Sequence, residues 1–82
     1  MNIHVYMINI RCLLAHKAEL QYHLDRLQSH IVCIQETWLE ESVASVEIAG
    51  YKNMSRRDRH KGSNQSGIFT LRRADFNQIV HG

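Results

Sequence analysis

Glu36 directly follows a short apolar run, Ile31-Val32-Cys33-Ile34-Gln35. A carboxylate at the mouth of a buried strand is a natural ligand for a hard cation such as Mg²⁺, which takes one or two carboxylates together with phosphate oxygens and water. The plainer reading of the same residue is a surface glutamate at a strand end. Asn9 offers an amide at the end of another apolar run, and Asp75-Phe76-Asn77 pairs an acid with an amide two residues on. An ordinary loop or helix start, with Asp75 as its cap, is the preferred reading of that last group. His16, His23 and His30 recur every seven residues. Side chains two helical turns apart sit about 10.5 Å apart along the axis. Zinc needs each nitrogen at about 2.0–2.1 Å, so the three cannot share one ion within a chain. They read as a polar helix stripe. Trp38 and Tyr51 can touch nucleic acid, but core or rim packing explains them more simply. Cys12 and Cys33 stand beside apolar residues and read as buried reduced thiols.

These residues depend on the elements that carry them. Ile3 to Ile10 alternates apolar side chains onto both faces, which predicts a strand covered on both sides. Leu13, Leu20, Leu24, Leu27 and Ile31 form a stripe at helical period and predict a helix over 15–28. No Ser, Thr, Asp or Asn stands ready to cap it, so its start is open. Residues 31–35 predict a buried strand. Strand, crossover helix and strand together make a βαβ unit, whose right-handed crossover brings the strands parallel. Asn9 and Glu36 then converge at one carboxyl edge, where open α/β sheets place ligands. Residues 40–45 suggest one helical turn. Short strands are expected at 46–48 and 51–56, then a polar loop over 59–66 and a strand over 67–71, so that 51–72 forms a hairpin.

With 82 residues, 44% hydrophobic and 22% charged, the chain has the composition of one globular domain or part of one, not of a disordered segment. No apolar run reaches the roughly 18 residues that a membrane span needs. The apolar start lacks a basic first stretch, which argues against a secretory signal. An intracellular protein, nuclear or cytoplasmic, is expected. The net charge of +2 hides an asymmetry. Residues 1–51 carry three basic and six acidic residues, whereas 52–73 carry seven basic residues against Asp58 alone. Such a stretch is either an electrostatic footprint for phosphates or a solvated hairpin.

Asn9-Ile10-Arg11, then Leu20 and Leu24, then Val32-Cys33-Ile34-Gln35-Glu36-Thr37-Trp38-Leu39, resembles the opening of the endonuclease/exonuclease/phosphatase superfamily. Gln-Glu-Thr-Trp-Leu is its specific part. Ile48-Ala49-Gly50-Tyr51, Arg56-Arg57-Asp58-Arg59 and Gly67-Ile68-Phe69 are most similar to the apurinic-type endonucleases of non-LTR retrotransposons. The likeness covers roughly residues 3–72, with 73–82 a weakly patterned tail. It implies an α/β (α+β) fold, here part of a four-layer α/β sandwich: the opening βαβ unit and a β-hairpin. It implies hydrolysis of phosphodiester bonds in DNA with Mg²⁺ or Mn²⁺, Glu36 as the metal-binding glutamate and Asn9 as the asparagine that positions phosphate and metal. Arg56, Arg57, Arg59 and Lys61 are the expected DNA-binding residues.

The family's later motifs have no counterpart here. Asp75-Phe76-Asn77 imitates one of them, but Ala74 replaces its glycine, Arg72 and Arg73 precede it, and it follows Glu36 too closely. The chain is therefore expected to be an N-terminal fragment, inactive alone, with one sheet face uncovered and available for association. The alternatives are a non-enzymatic remnant that binds nucleic acid through its basic hairpin, and a phosphatase-type member of the superfamily.

Overall fold

The computed structural model describes residues 2–58 and 67–77. Its elements are β1 (Val5–Asn9), α1 (Leu13–Leu27), β2 (Ile31–Gln35), β3 (Tyr51–Arg57) and β4 (Ile68–Arg73). One helix on one four-stranded mixed sheet is an α+β architecture. The sheet order is β1-β2-β4-β3. β1 and β2 are parallel, with Val5 opposite Ile31 and Asn9 opposite Gln35. β4 runs antiparallel to β2 and to β3, so β3 and β4 pair as expected of a hairpin over 51–72 and dock through β4, while the expected loop over 59–66 lies outside the described residues.

The strand period of two decides which residues meet the helix. Val32, Ile34, Phe69 and Leu71 face it and are fully buried with Leu13, Leu20 and Leu24. Leu39, Val46 and Ile48 close the same core from the segment between β2 and β3. Residues 46–48 form no strand, although they bury the side chains that a strand would. In place of the expected helical turn over 40–45 there is one tight turn, in which the Val43 N–H donates to the Glu40 carbonyl at 2.9 Å, and no helix.

The other sheet face has no covering layer among the described residues. Val5 is 54% and Met7 64% exposed, so the expectation of a first strand covered on both sides is corrected. Leu27 also departs from the expected stripe, being half exposed in the last helical turn. Cys12 and Cys33 are free thiols and only half-buried.

Helix α1 begins two residues before its expected start. Cys12 stands at its N-cap and makes no capping bond with its side chain. The first N–H groups of a helix need acceptors outside it. Here the segment leaving β2 provides them: Cys12 N–H donates to the Glu36 carbonyl and Leu13 N–H to the Thr37 carbonyl, both at 2.9 Å. A cap supplied by distant backbone leaves no mark in the residues just before a helix.

Candidate functional site

The two parallel strands end together. Asn9 closes β1 opposite Gln35, and Ile10 N–H donates to the Gln35 carbonyl at 2.9 Å. Glu36 follows at once. Adjacent strands lie about 4.8 Å apart, so Asn9 and Glu36 occupy neighbouring places on the carboxyl edge. Asn9 is exposed and Glu36 half-buried.

The backbone around them is unusual. Arg11, Cys12, Glu36 and Trp38 all have φ between 47° and 79°, although none is glycine. Side-chain-bearing residues held in sparsely populated regions cost on the order of 1–3 kcal/mol each and persist only where their surroundings over-determine them. Here the surroundings are the two hydrogen bonds that clasp the loops together and the burial of Leu13, Thr37 and Leu39. Thr37 is 1% exposed. It anchors the turn, while Glu36 and Trp38 on either side remain accessible. Thus the loop geometry presents alternate residues of Glu36-Thr37-Trp38 outward and pins the middle one.

Arg57 belongs to the same end of the sheet. It pairs with Ile68, which pairs with Gln35, which pairs with Asn9, so one transverse row crosses all four strands. Arg57 is exposed. Arg56 faces the other way and serves the fold. Its guanidinium grips Asp58 through two bonds, at 2.7 and 3.0 Å, and donates to the carbonyls of Glu40, Val43 and Ala44. The bond to Asp58 raises its already high pKa. Arg59 and Lys61 lie outside the described residues.

Asp75 sits at the opposite end. It follows β4, whose Phe69 and Leu71 are buried, but β4 runs against β2, and Arg72 lies beside Ile31 at the amino edge. Asp75 therefore emerges far from Glu36. It is bonded to Arg73 at 2.6 and 2.9 Å, and Arg73 also donates to the Gln28 carbonyl. The Arg73 guanidinium, chiefly through its hydrogen bond, holds the Asp75 carboxyl below its usual range. Both of these aspartates follow an arginine at a spacing of two, which puts the partners on one face of a strand end. That Arg-x-Asp repetition was the sequence signal for two structural clamps.

Among the described residues, no three His, Cys, Asp or Glu side chains gather where they could hold a metal ion together. Apart from Asp58, which Arg56 holds, the carboxyl edge offers among the described residues the Glu36 carboxylate and the amides of Asn9 and Gln35. That donor set fits a hard cation that keeps most of its water and meets a substrate phosphate, in the manner of Mg²⁺. It does not fit a site for zinc, which takes nitrogen and sulfur ligands in a closed set. His30 is engaged elsewhere: its Nδ1 accepts the His4 N–H at 2.9 Å. A shallow depression lined by Lys17, Gln21, Glu47 and Lys52 lies between α1 and the start of β3 and includes neither Asn9 nor Glu36. No helix among the described residues is long and apolar enough to cross a membrane.

Comparison with known proteins returned nothing: no family model, curated protein or solved structure matches the chain.

Proposed function

We propose that this chain is the N-terminal part of a Mg²⁺- or Mn²⁺-dependent endonuclease domain of the retrotransposon apurinic type. The carrying observation is the parallel βαβ unit that delivers Asn9 and the Gln35-Glu36-Thr37-Trp38 string to one sheet edge on clasped, left-handed backbone. In this reading the Glu36 carboxylate takes the cation, and the Asn9 amide hydrogen-bonds a phosphate oxygen. When bound, the ion would stabilise charge on the phosphoryl oxygens and the departing alkoxide as a Lewis acid. Arg57, exposed in the same row, would meet the phosphate backbone. The α+β arrangement, one helix layer on one sheet layer, is compatible with half of a four-layer sandwich. DNA as substrate suits a nuclear or cytoplasmic protein.

The test is Mn²⁺ titration of the isotopically labelled chain, followed by NMR. Paramagnetic broadening is expected first at Asn9 and Glu36, and Glu36→Gln should abolish it there. Broadening that instead centres on Glu40, Glu41 and Glu47, or that persists at Asn9 in the variant, would sink the metal site.

A further inference from the structure

The two edges of the sheet are built differently. β3 carries Lys52, Arg56 and Arg57, and its pairing slips between Asn53 and Ser55. Charges and bulges are the usual means by which proteins keep an edge strand from pairing with another chain. β1, the other edge, reads Val-Tyr-Met-Ile-Asn. It has no charge, no proline and no bulge in its pairing with β2. Among the described residues nothing pairs with its outer side.

The hydrogen-bond pattern shows which groups are free on that side. The His4 carbonyl accepts from His30 and Ile31, and Ile10 N–H donates to Gln35, so the even-numbered residues turn their main-chain groups toward β2. The N–H and C=O groups of Val5, Met7 and Asn9 therefore point outward. Such a row is self-complementary about its centre. Turned by a two-fold axis at Met7, it sets Met7 against Met7 and Val5 against Asn9 of another copy, each as a hydrogen-bonded antiparallel pair.

Charge placement favours the same arrangement. The uncovered face carries Lys52, Arg57 and Arg72 on its β3–β4 side and no carboxylate at any of its paired positions. The side chains of Lys52 and Arg72 make no hydrogen bond or ion pair with the described residues, although the two residues face each other across the strands. Joining two copies through β1 puts these cations at opposite ends of the combined sheet. Joining them through β3 would bring them together.

We infer that the β1 edge takes a second copy of this chain in antiparallel register about Met7, giving one continuous eight-stranded sheet. This inference does not rest on the nuclease reading. The closed two-fold pairing uses up both β1 edges and leaves only the charged, bulged β3 edges outside.

Sedimentation equilibrium on the full 82-residue chain, across a wide concentration range, tests it. A monomer–dimer equilibrium is expected, with no larger species. Met7→Lys places a charge on each side of the axis and should give monomer. Met7 is 64% exposed, so that variant keeps its core. Thr70→Lys, on the uncovered face but away from the edge, should leave the dimer intact. A second measurement uses Met7→Cys with Cys12→Ser and Cys33→Ser. Hydrogen-bonded antiparallel pairs have Cα atoms about 5.5 Å apart, within the about 4.4–6.8 Å that a disulfide spans. Mild oxidation should therefore link two chains. A wild-type monomer throughout, a ladder of larger species, loss of the dimer in Thr70→Lys alone, or failure of the cysteine link would each overturn the proposal.

Discussion

Arg56 and Arg73 each sit two residues before an aspartate and do more than pair with it. Arg56 ties the end of β3 to the loop after β2, and Arg73 ties the end of β4 to the end of α1. A planar guanidinium can serve an acid and several carbonyls together, and an ammonium cannot. Arg56→Ala should therefore cost about 1.5–3 kcal/mol in urea unfolding, the range for hydrogen bonds to charged groups. Arg56→Lys should recover only a small part, and full recovery would show that charge alone matters. The Arg-x-Asp spacing marks the pairing of Arg56 with Asp58 in the sequence but not its wider grip, because the carbonyls it also meets are 12 to 16 residues away. Asp75 gives a pH signature. Its pKa is lower in the folded chain than in the unfolded one. Its contribution is thus full above the unfolded value of about 3.9 and is lost as pH falls through the folded value. Asp75→Asn should lower stability at neutral pH and make the loss of stability below about pH 4 shallower. Parallel curves for variant and wild type would remove that role.

At the scale of elements, the bounds of β2 are legible to the residue, because a β-branched apolar run bounded by polar residues has one simple solution. The placement of Asn9 and Glu36 at one edge follows from the parallel pairing that a strand–helix–strand crossover imposes and from where the two apolar runs end. The start of α1 was not legible, since its first N–H groups bond to Glu36 and Thr37 carbonyls rather than to a local cap. The buried, non-strand path of Val46 and Ile48 was not legible either: alternating burial has the same period whether or not a ladder forms. The helix end offers a test. Gln28 occupies the left-handed C-cap position at φ 53°, where its N–H donates to the Leu24 carbonyl. Glycine pays no side-chain penalty there. Gln28→Gly should stabilise the chain by about 0.5–1 kcal/mol, less whatever the Gln28 side-chain bond to the Asp25 carbonyl contributes. A lower thermal midpoint in that variant would show the side-chain bond to be the larger effect.

At the scale of the whole molecule, α1 and the segment after β2 cover one sheet face, and the groups proposed to bind a cation sit at one edge. In the proposed reading Glu36 and Asn9 would serve a metal and a phosphate, whereas Asp75 lies at the far edge. Positioned general acid–base groups contribute about 10²–10⁴-fold each. Purified alone with Mg²⁺, the chain should therefore nick plasmid no faster than Glu36→Ala does. Robust nicking that disappears in that variant would show the 82 residues to hold a complete centre. The strand order carries a consequence for biosynthesis. β4 is translated after the other three strands, yet it lies between β2 and β3 and supplies Phe69 and Leu71 to the core. At about 5–20 residues per second, a growing chain carries β2 with one bare side for seconds while the hairpin is still being made. The βαβ unit cannot finish as it leaves the ribosome. It must wait for β4, and during that wait its unpaired apolar strand is open to neighbouring nascent chains.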